Sequence, residues 1–253
     1  METELPPGYR IKRLDDTIST NADAVEAARA GEASGLWIVA RRQSGGRGSR
    51  GRDWVSQEGN LFTSLLLRDP APENILAELT FVASLSVREA LARIAARQGM
   101  SRTIALKWPN DVLISGRKVS GILLESHDVG GSRVVVVGIG VNCNSHPSET
   151  LHRASDLAAE GIVAAPEEVL VEIARSFANY LAVWNRGAGF QAIRQAWLDE
   201  ATGVGERIYV RMPGRQLTGT FEDLGPDGNL ILTLDDGSTV HVSAADIFFA
   251  NQP

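Results

Sequence analysis

Residues 103–126, TIALKWPNDVLISGRKVSGILLES, contain three short runs rich in β-branched residues, separated by turn residues. Pro109-Asn110-Asp111 marks the first turn and Ser115-Gly116-Arg117 the second. Strands joined by such short connections are antiparallel neighbours, whereas a doubly wound parallel sheet needs a helical crossover between consecutive strands. The segment therefore predicts an antiparallel sheet.

Hydrophobic patterns predict an α+β fold, with an α/β body whose mixed, largely antiparallel sheet packs against helices. Further strands are predicted at 36–43, 60–67 and 133–144, and helices at 21–31, 73–98, 166–187 and 190–201. From Gly203 the pattern changes to alternation, with Pro213-Gly214, Asp227-Gly228 and Asp236-Gly237 as hairpin turn signals. These strands predict a small C-terminal SH3-like β-barrel, so the chain divides near Thr202 into domains 1–202 and 203–253.

The stretch Gln43–Trp54, QSGGRGSRGRDW, here called the glycine-arginine loop, has four glycines and three arginines in twelve residues. Glycines let backbone N–H groups approach a ligand closely, and arginine guanidinium groups bind phosphate or carboxylate oxygens. Because predicted strands flank the stretch, it is a long loop anchored inside a domain, and such loops are commonly functional. The loop predicts an anion-binding site.

The same loop contains a dinucleotide-binding fingerprint, Gly46-x-Gly48-x-x-Gly51. That fingerprint should open a helix whose N-terminus meets the pyrophosphate, whereas a β-like segment follows it here. The pattern therefore argues against a nucleotide-binding oxidoreductase.

Composition limits the possible partners and the compartment. The net charge of −6 over 253 residues argues against a DNA-binding protein, because phosphate neutralisation needs a basic face. The single cysteine, Cys143, rules out an internal disulfide and suits a reducing compartment. The sequence shows neither a signal peptide nor an apolar run long enough to span a bilayer. We expect a cytoplasmic protein without membrane or DNA contacts, as a monomer or a homodimer.

Two further segments carry candidate ligand-binding residues. Lys107 ends a predicted strand just before the rigid Pro109 turn, where a partner anion explains a lysine better than solvent does. Gly138-x-Gly140 and Asn142 end the predicted strand at 133–144, where the glycines either allow close backbone packing or leave room for a ligand.

Taken together, the motifs resemble those of biotin protein ligases. Gly46–Trp54 is similar to the glycine-arginine loop of that family. Lys107–Asp111 matches its KWPND turn, and Ser120–Glu125 matches its GILxE strand, a specific combination at this spacing. Gly138–Asn142 is similar to its GxGxN strand end. The resemblance extends from about residue 14 to the C-terminus, including the predicted barrel.

The resemblance implies that residues 1–202 bind biotin and ATP, with Mg²⁺ accompanying ATP. The products would be biotinyl-5′-adenylate and pyrophosphate, after which biotin would pass to a lysine of a biotin carboxyl carrier protein. The implied catalytic residues are Lys107 and Arg47. The implied biotin site comprises Ser19, Thr20, Asn21, Gln43, Gly46, Arg47, Trp54, Lys107 and Gly121. The implied ATP and adenylate site comprises Arg47, Gly48, Ser49, Arg50, Arg52, Trp54, Lys107, Asn110 and Asn142.

Two departures from the family pattern carry expectations. Family members frequently have arginine where this chain has Ser49, which removes one guanidinium from the implied phosphate site. Regulatory members carry a winged-helix repressor domain ahead of the catalytic part, whereas the catalytic pattern here begins within the first twenty residues. We therefore expect a single-function ligase. The alternatives are a lipoate or octanoate ligase on the same scaffold and a non-catalytic biotin-binding protein.

Overall fold

The computed structural model describes residues 4–148, 150 and 153–249. Seven strands of these residues form one mixed sheet in the order β1-β2-β3-β7-β6-β5-β4. The strands are β1 (Arg10–Thr17), β2 (Leu36–Gln43), β3 (Leu61–Arg68), β4 (Ile104–Lys107), β5 (Asp111–Ile114), β6 (Arg117–Val129) and β7 (Ser132–Val141). Only the β1–β2 pair is parallel among the described strand pairs of this sheet, which confirms the predicted mixed, largely antiparallel sheet.

The turn residues at 115–116 explain why β5 and β6 form a tight hairpin. Ser115 and Gly116 both have positive φ, 51° and 76°, as a short hairpin turn requires. Glycine adopts a positive φ without steric cost, so the backbone conformation of the turn favours glycine at position 116.

Helices cover both faces of the sheet, because the central strand β7 is apolar on both sides. Val134 and Val136 pack with α1, whereas Val135 and Val137 belong to the larger core with α2 and α3. The helices are α1 (Thr20–Arg29), α2 (Leu79–Arg97), α3 (Pro166–Trp184) and α4 (Phe190–Asp199). The predicted helix at 73–98 divides, since Glu73–Glu78 forms a 3₁₀ turn before α2 begins.

A second sheet follows α4, which confirms the predicted antiparallel β-structure at the C-terminus. Among the described residues it has five strands in the order β11-β10-β9-β8-β12. They are β8 (Arg207–Met212), β9 (Arg215–Leu224), β10 (Leu230–Leu234), β11 (Thr239–Val242) and β12 (Asp246–Phe249). The turn after β4 contacts the turn between β9 and β10, since Trp108 Nε1 donates a hydrogen bond to the Gly228 oxygen at 3.2 Å. The domain boundary near Thr202 stays a prediction.

No helix in the described part of the chain is both long and apolar enough to cross a membrane.

Candidate active site

A row of glycines on the α1 face of the sheet opens a cavity. Val134 and Val136 of β7 fill this face beneath α1, but Gly138 and Gly140 continue the same row without side chains. Gly140 pairs with Gly121 of β6 in the sheet register, so two neighbouring strands lack side chains at this point. Both alternatives for these glycines apply: Asn21 and the Trp54 ring pack closely over Gly138 and Gly140, and both glycines also line the cavity.

The cavity has a volume of about 310 Å³. Its lining combines the start of α1, the glycine-arginine loop, the first half of β6, the end of β7, and Pro147, Thr150 and Ala154. Predicted ligand-binding residues among its lining are Ser19, Thr20, Asn21, Gln43, Arg47, Gly48, Ser49, Arg52, Trp54, Asn110, Gly121 and Asn142.

One end of the cavity is a network of neutral polar groups. The backbone N–H and the hydroxyl of Thr20 donate to Oε1 of Gln43 at 2.9 and 3.1 Å. The Ser64 hydroxyl lies 2.7 Å from Thr20 Oγ1 and 2.5 Å from Asn21 Oδ1. Ser64 is fully buried and Thr20 is 4% exposed, so these groups are fixed before a ligand arrives. Ser19 occupies the N-cap position of α1 without a side-chain cap hydrogen bond, which leaves its hydroxyl available to the cavity.

The glycine-arginine loop folds across the cavity by pairing with itself. Trp54 donates its backbone N–H to the Gly46 oxygen at 2.9 Å, and Arg47 and Asp53 form a β-bridge. A side chain at Gly46 would lie 2.5 Å from Ser56 Oγ, so Gly46 supports the turn of the loop. The Trp54 ring packs against the backbone of Gly140, which forms the floor of the cavity. A Cβ added at Gly140 would lie 2.5 Å from this ring.

Arg47 connects the loop to β6. Its Nη2 lies 3.0 Å from Oε2 of Glu125, which also accepts a hydrogen bond from Asn21 Nδ2 at 2.6 Å. The Glu125 carboxylate therefore connects the cationic loop to the neutral network. Its side chain is only 19% exposed.

Lys118 is the lysine that lines the cavity, and the sequence reasoning did not select it. Its Nζ lies 2.5 Å from Oδ1 of Asp111 and 5.5 Å from the centre of the Trp54 ring. Strict alternation would place Lys118 on the opposite face of β6 from Gly121. The β5–β6 register shifts between Val112 and Leu113, and this bulge turns Lys118 to the cavity side.

Lys107 lies beside the cavity and not in its described lining, and the charges of Lys118 and Arg52, which do line the cavity, act on its ammonium. Its predicted contact with the ligand stays a prediction. Its side chain turns to the C-terminal sheet, where Nζ lies 5.9 Å and 5.6 Å from the ring centres of Phe248 and Phe249. It is 3% exposed, and burial lowers its pKa from 10.5 to about 8, against the opposing attraction of the Asp111 and Asp246 carboxylates.

The Lys107 pKa predicts a pH dependence of stability. The folded protein releases the proton at about pH 8, whereas the unfolded chain keeps it until about 10.5, so the unfolding free energy should rise between these values. The rise should be on the order of 3 kcal/mol, at about 1.4 kcal/mol per pH unit. Urea unfolding of the wild type and Lys107→Met across this range measures it. Equal pH dependence in the two proteins would contradict the buried, shifted amine.

Arg50 and Gly46 also lie outside the described lining of the cavity. Arg50 turns to the C-terminal sheet and pairs with Asp246 at 2.6 Å. Asn142, in contrast, lies in the lining, with its amide donating to the Ser155 oxygen at 3.0 Å.

Metal and thiol chemistry find no support in the described residues. They contain no group of three or more His, Cys, Asp or Glu side chains that could hold a metal ion. Cys143 is buried and free, and burial raises the pKa of its thiol to about 12, so the thiolate is not formed near neutral pH.

Comparison with known families identifies the scaffold. Residues 14–142 match the biotin/lipoate A/B protein ligase family. The chain belongs to this family. Residues 203–250 match a second family, the biotin protein ligase C-terminal domain, which covers the five-stranded sheet.

Members of the biotin/lipoate A/B protein ligase family resemble this chain over nearly its whole length. A biotin–[acetyl-CoA-carboxylase] ligase of Paracoccus denitrificans is 40% identical over 93% of this chain and 99% of its own length. One of Mycobacterium tuberculosis is 32% identical, over 95% and 90%. The biotin protein ligase of Aquifex aeolicus, solved in complex with biotin and ATP, is 28% identical, with a TM-score of 0.80 over 95% of this chain and 99% of that one. These relatives favour the predicted biotin ligase over the alternatives.

Proposed function

We propose that this family member is a biotin protein ligase that uses ATP. In the first step a biotin carboxylate oxygen attacks the α-phosphorus of ATP, giving biotinyl-5′-AMP and pyrophosphate. In the second, the neutral amine of an acceptor lysine attacks the acyl carbon and AMP leaves. The acceptor we propose is a biotin carboxyl carrier protein or domain.

The observation that carries the proposal is the composition of the cavity, which is neutral and polar at one end and cationic at the other. Hydroxyl and amide groups of Thr20, Asn21 and Gln43 suit the ureido group of biotin, because they can both donate and accept hydrogen bonds. Arg47, Arg52 and Lys118 suit a carboxylate and a phosphate. An elongated acid that reacts with a nucleotide needs a cavity that has both a neutral polar end and a cationic end.

Lys118, and not Lys107, takes the catalytic role in this proposal. Two anions must approach to bonding distance in the first step, and a fixed cation lowers the energy of the charge that builds on the α-phosphoryl group. Asp111 lies 2.5 Å from the Lys118 ammonium and orients it. The Trp54 ring, whose centre lies 5.5 Å from the Lys118 Nζ, would exclude water from the mixed anhydride.

Mg²⁺ enters the proposal as part of the nucleotide substrate. The described residues contain no carboxylate cluster that would hold a divalent cation, so the triphosphate oxygens would supply most of its ligands. We further propose a cytoplasmic, reducing setting for the enzyme, consistent with its one buried thiol, and no role in DNA binding.

Isotope exchange between pyrophosphate and ATP tests the first step. We expect exchange that requires biotin and is not supported by lipoate or octanoate, because the neutral network is built to pair with a ureido group. Labelled biotin should then pass to a purified carrier domain with release of AMP. Exchange with lipoate in place of biotin would support the alternative ligase, and biotin binding without exchange would support a non-catalytic protein.

A further inference from the structure

The carboxylate of Asp246, at the start of β12, pairs with two arginines of the glycine-arginine loop. Oδ2 lies 2.6 Å from Nη1 of Arg50, and Oδ1 lies 3.1 Å from Nη1 of Arg52. The Asp246 side chain is 18% exposed, so solvent screens these pairs less than it screens pairs on an open surface. One side chain of the C-terminal sheet thus holds a loop that belongs to the seven-stranded sheet.

Arg52 carries this contact to the cavity. Its Nε and Nη2 donate hydrogen bonds to the backbone oxygen and the hydroxyl of Ser49 at 3.2 and 3.0 Å. Its backbone oxygen accepts from the Gly48 N–H at 2.7 Å. Because Gly48, Ser49 and Arg52 all line the cavity, a displacement of Arg52 displaces the cationic wall.

The backbone conformation of Arg50 is one that arginine disfavours, so the contact with Asp246 helps to hold the loop in place. The Arg50 φ of 61° is a left-handed conformation, which sterically disfavours residues other than glycine. The ion pair with Asp246 offsets that cost only while the loop lies against the C-terminal sheet.

Asp246 is itself well anchored. Its neighbours Ala245 and Ile247 are 0% and 1% exposed, and Asp246 pairs with Arg211 in the β8–β12 register. The side chain therefore projects from a rigid strand, which is the arrangement that positions another group precisely.

We propose that Asp246 is a positioning residue for the adenylation site. Its carboxylate keeps the glycine-arginine loop closed over the cavity, so that retention of the acyl-adenylate depends on the C-terminal sheet. This inference rests on the proposed ligase function. Biotin affinity should depend on Asp246 much less, because the network of Thr20, Asn21 and Gln43 forms without it.

Asp246→Asn tests the proposal, because it removes the charge and keeps the shape. The readout is the ratio of AMP released from biotin and ATP without a carrier domain to biotin transferred when the carrier is present. This ratio should be about ten times higher in Asp246→Asn than in the wild type. Biotin affinity by calorimetry should stay near that of the wild type. Asp246→Glu, which keeps the charge, should restore part of the ratio.

Asp235→Asn is the matched control. Asp235 pairs with Arg207 through both oxygens at 2.6 and 2.7 Å within the same sheet, but this pair does not involve the loop. Its ratio of released AMP to transferred biotin should equal that of the wild type.

Hydrogen exchange of residues 44–54 in the ligand-free protein gives a readout that does not need the ligase function. Protection should fall in Asp246→Asn and not in Asp235→Asn. If both variants behaved alike in exchange and in the AMP ratio, or if Asp246→Asn lost biotin affinity together with activity, a positioning role would be overturned. If the wild type made no AMP from biotin, the ligase proposal would fail, and the exchange result would still decide whether Asp246 holds the loop.

Discussion

Lys118→Ala should lower the rate of biotin-dependent pyrophosphate exchange by about 10²–10³-fold, the usual cost of removing one group that stabilises transition-state charge. Lys118 is the lysine in the described lining of the cavity and lies 2.5 Å from Asp111, so its loss removes one of the three cations that we propose to face the reacting anions, beside Arg47 and Arg52. Its side chain is 23% exposed, so the folded state should survive the substitution. Exchange kinetics with a melting curve of the same preparation measure both effects.

Lys107→Met is the comparison that separates the two lysines. It removes an ammonium that is buried against Phe248 and Phe249 and outside the described lining of the cavity, so exchange should fall far less than in Lys118→Ala. Methionine fills similar space without a charge, which limits the packing loss. The opposite order of the two rates would return the catalytic role to Lys107, as the sequence resemblance first implied.

Gly140→Val should weaken biotin binding by roughly 10- to 100-fold, because the branched side chain displaces the packed Trp54 ring, at about 1–3 kcal/mol, and occupies ligand space. Even its Cβ would lie 2.5 Å from the Trp54 ring. Valine suits a β-strand, so β7 should still form. Titration calorimetry with biotin measures the loss.

Gly140→Ala provides a graded control for that effect. The single methyl group should displace the Trp54 ring and weaken binding by less than valine does, with little change in melting temperature. Wild-type biotin affinity in Gly140→Val would mean that the ligand does not use this floor of the cavity.

Local chemistry was enough to predict much of the fold. The predicted strand at 36–43 coincides with β2, and short turn signals after 107 and 114 correctly indicated antiparallel pairs. The glycine-arginine loop and the start of α1 were predicted to meet a ligand, and both line one cavity. These features depend on residues that are close together in the chain, where turn and periodicity rules apply directly.

The roles of individual cations could not be predicted in the same way. Lys107 and Lys118 both lie at strand positions next to a turn. The bulge opposite Val112 and Leu113 turns Lys118 to the cavity, whereas Lys107, in the regular β4–β5 pair, packs against Phe248 and Phe249. Arg50 and Arg52 read as equivalent loop arginines, yet only Arg52 is in the described lining, while both meet Asp246 from almost two hundred residues away.

The sequence by itself determined the turns, the family and most strands of the first sheet, because each depends on local backbone preference or on motifs within one segment. It did not indicate β1, whose residues are mostly polar and partly exposed. Only the tertiary structure decided which ammonium group faces the cavity and which carboxylate holds the loop. A one-residue bulge reverses the face of every side chain beyond it, and ion pairs between distant segments form only after both sheets have packed.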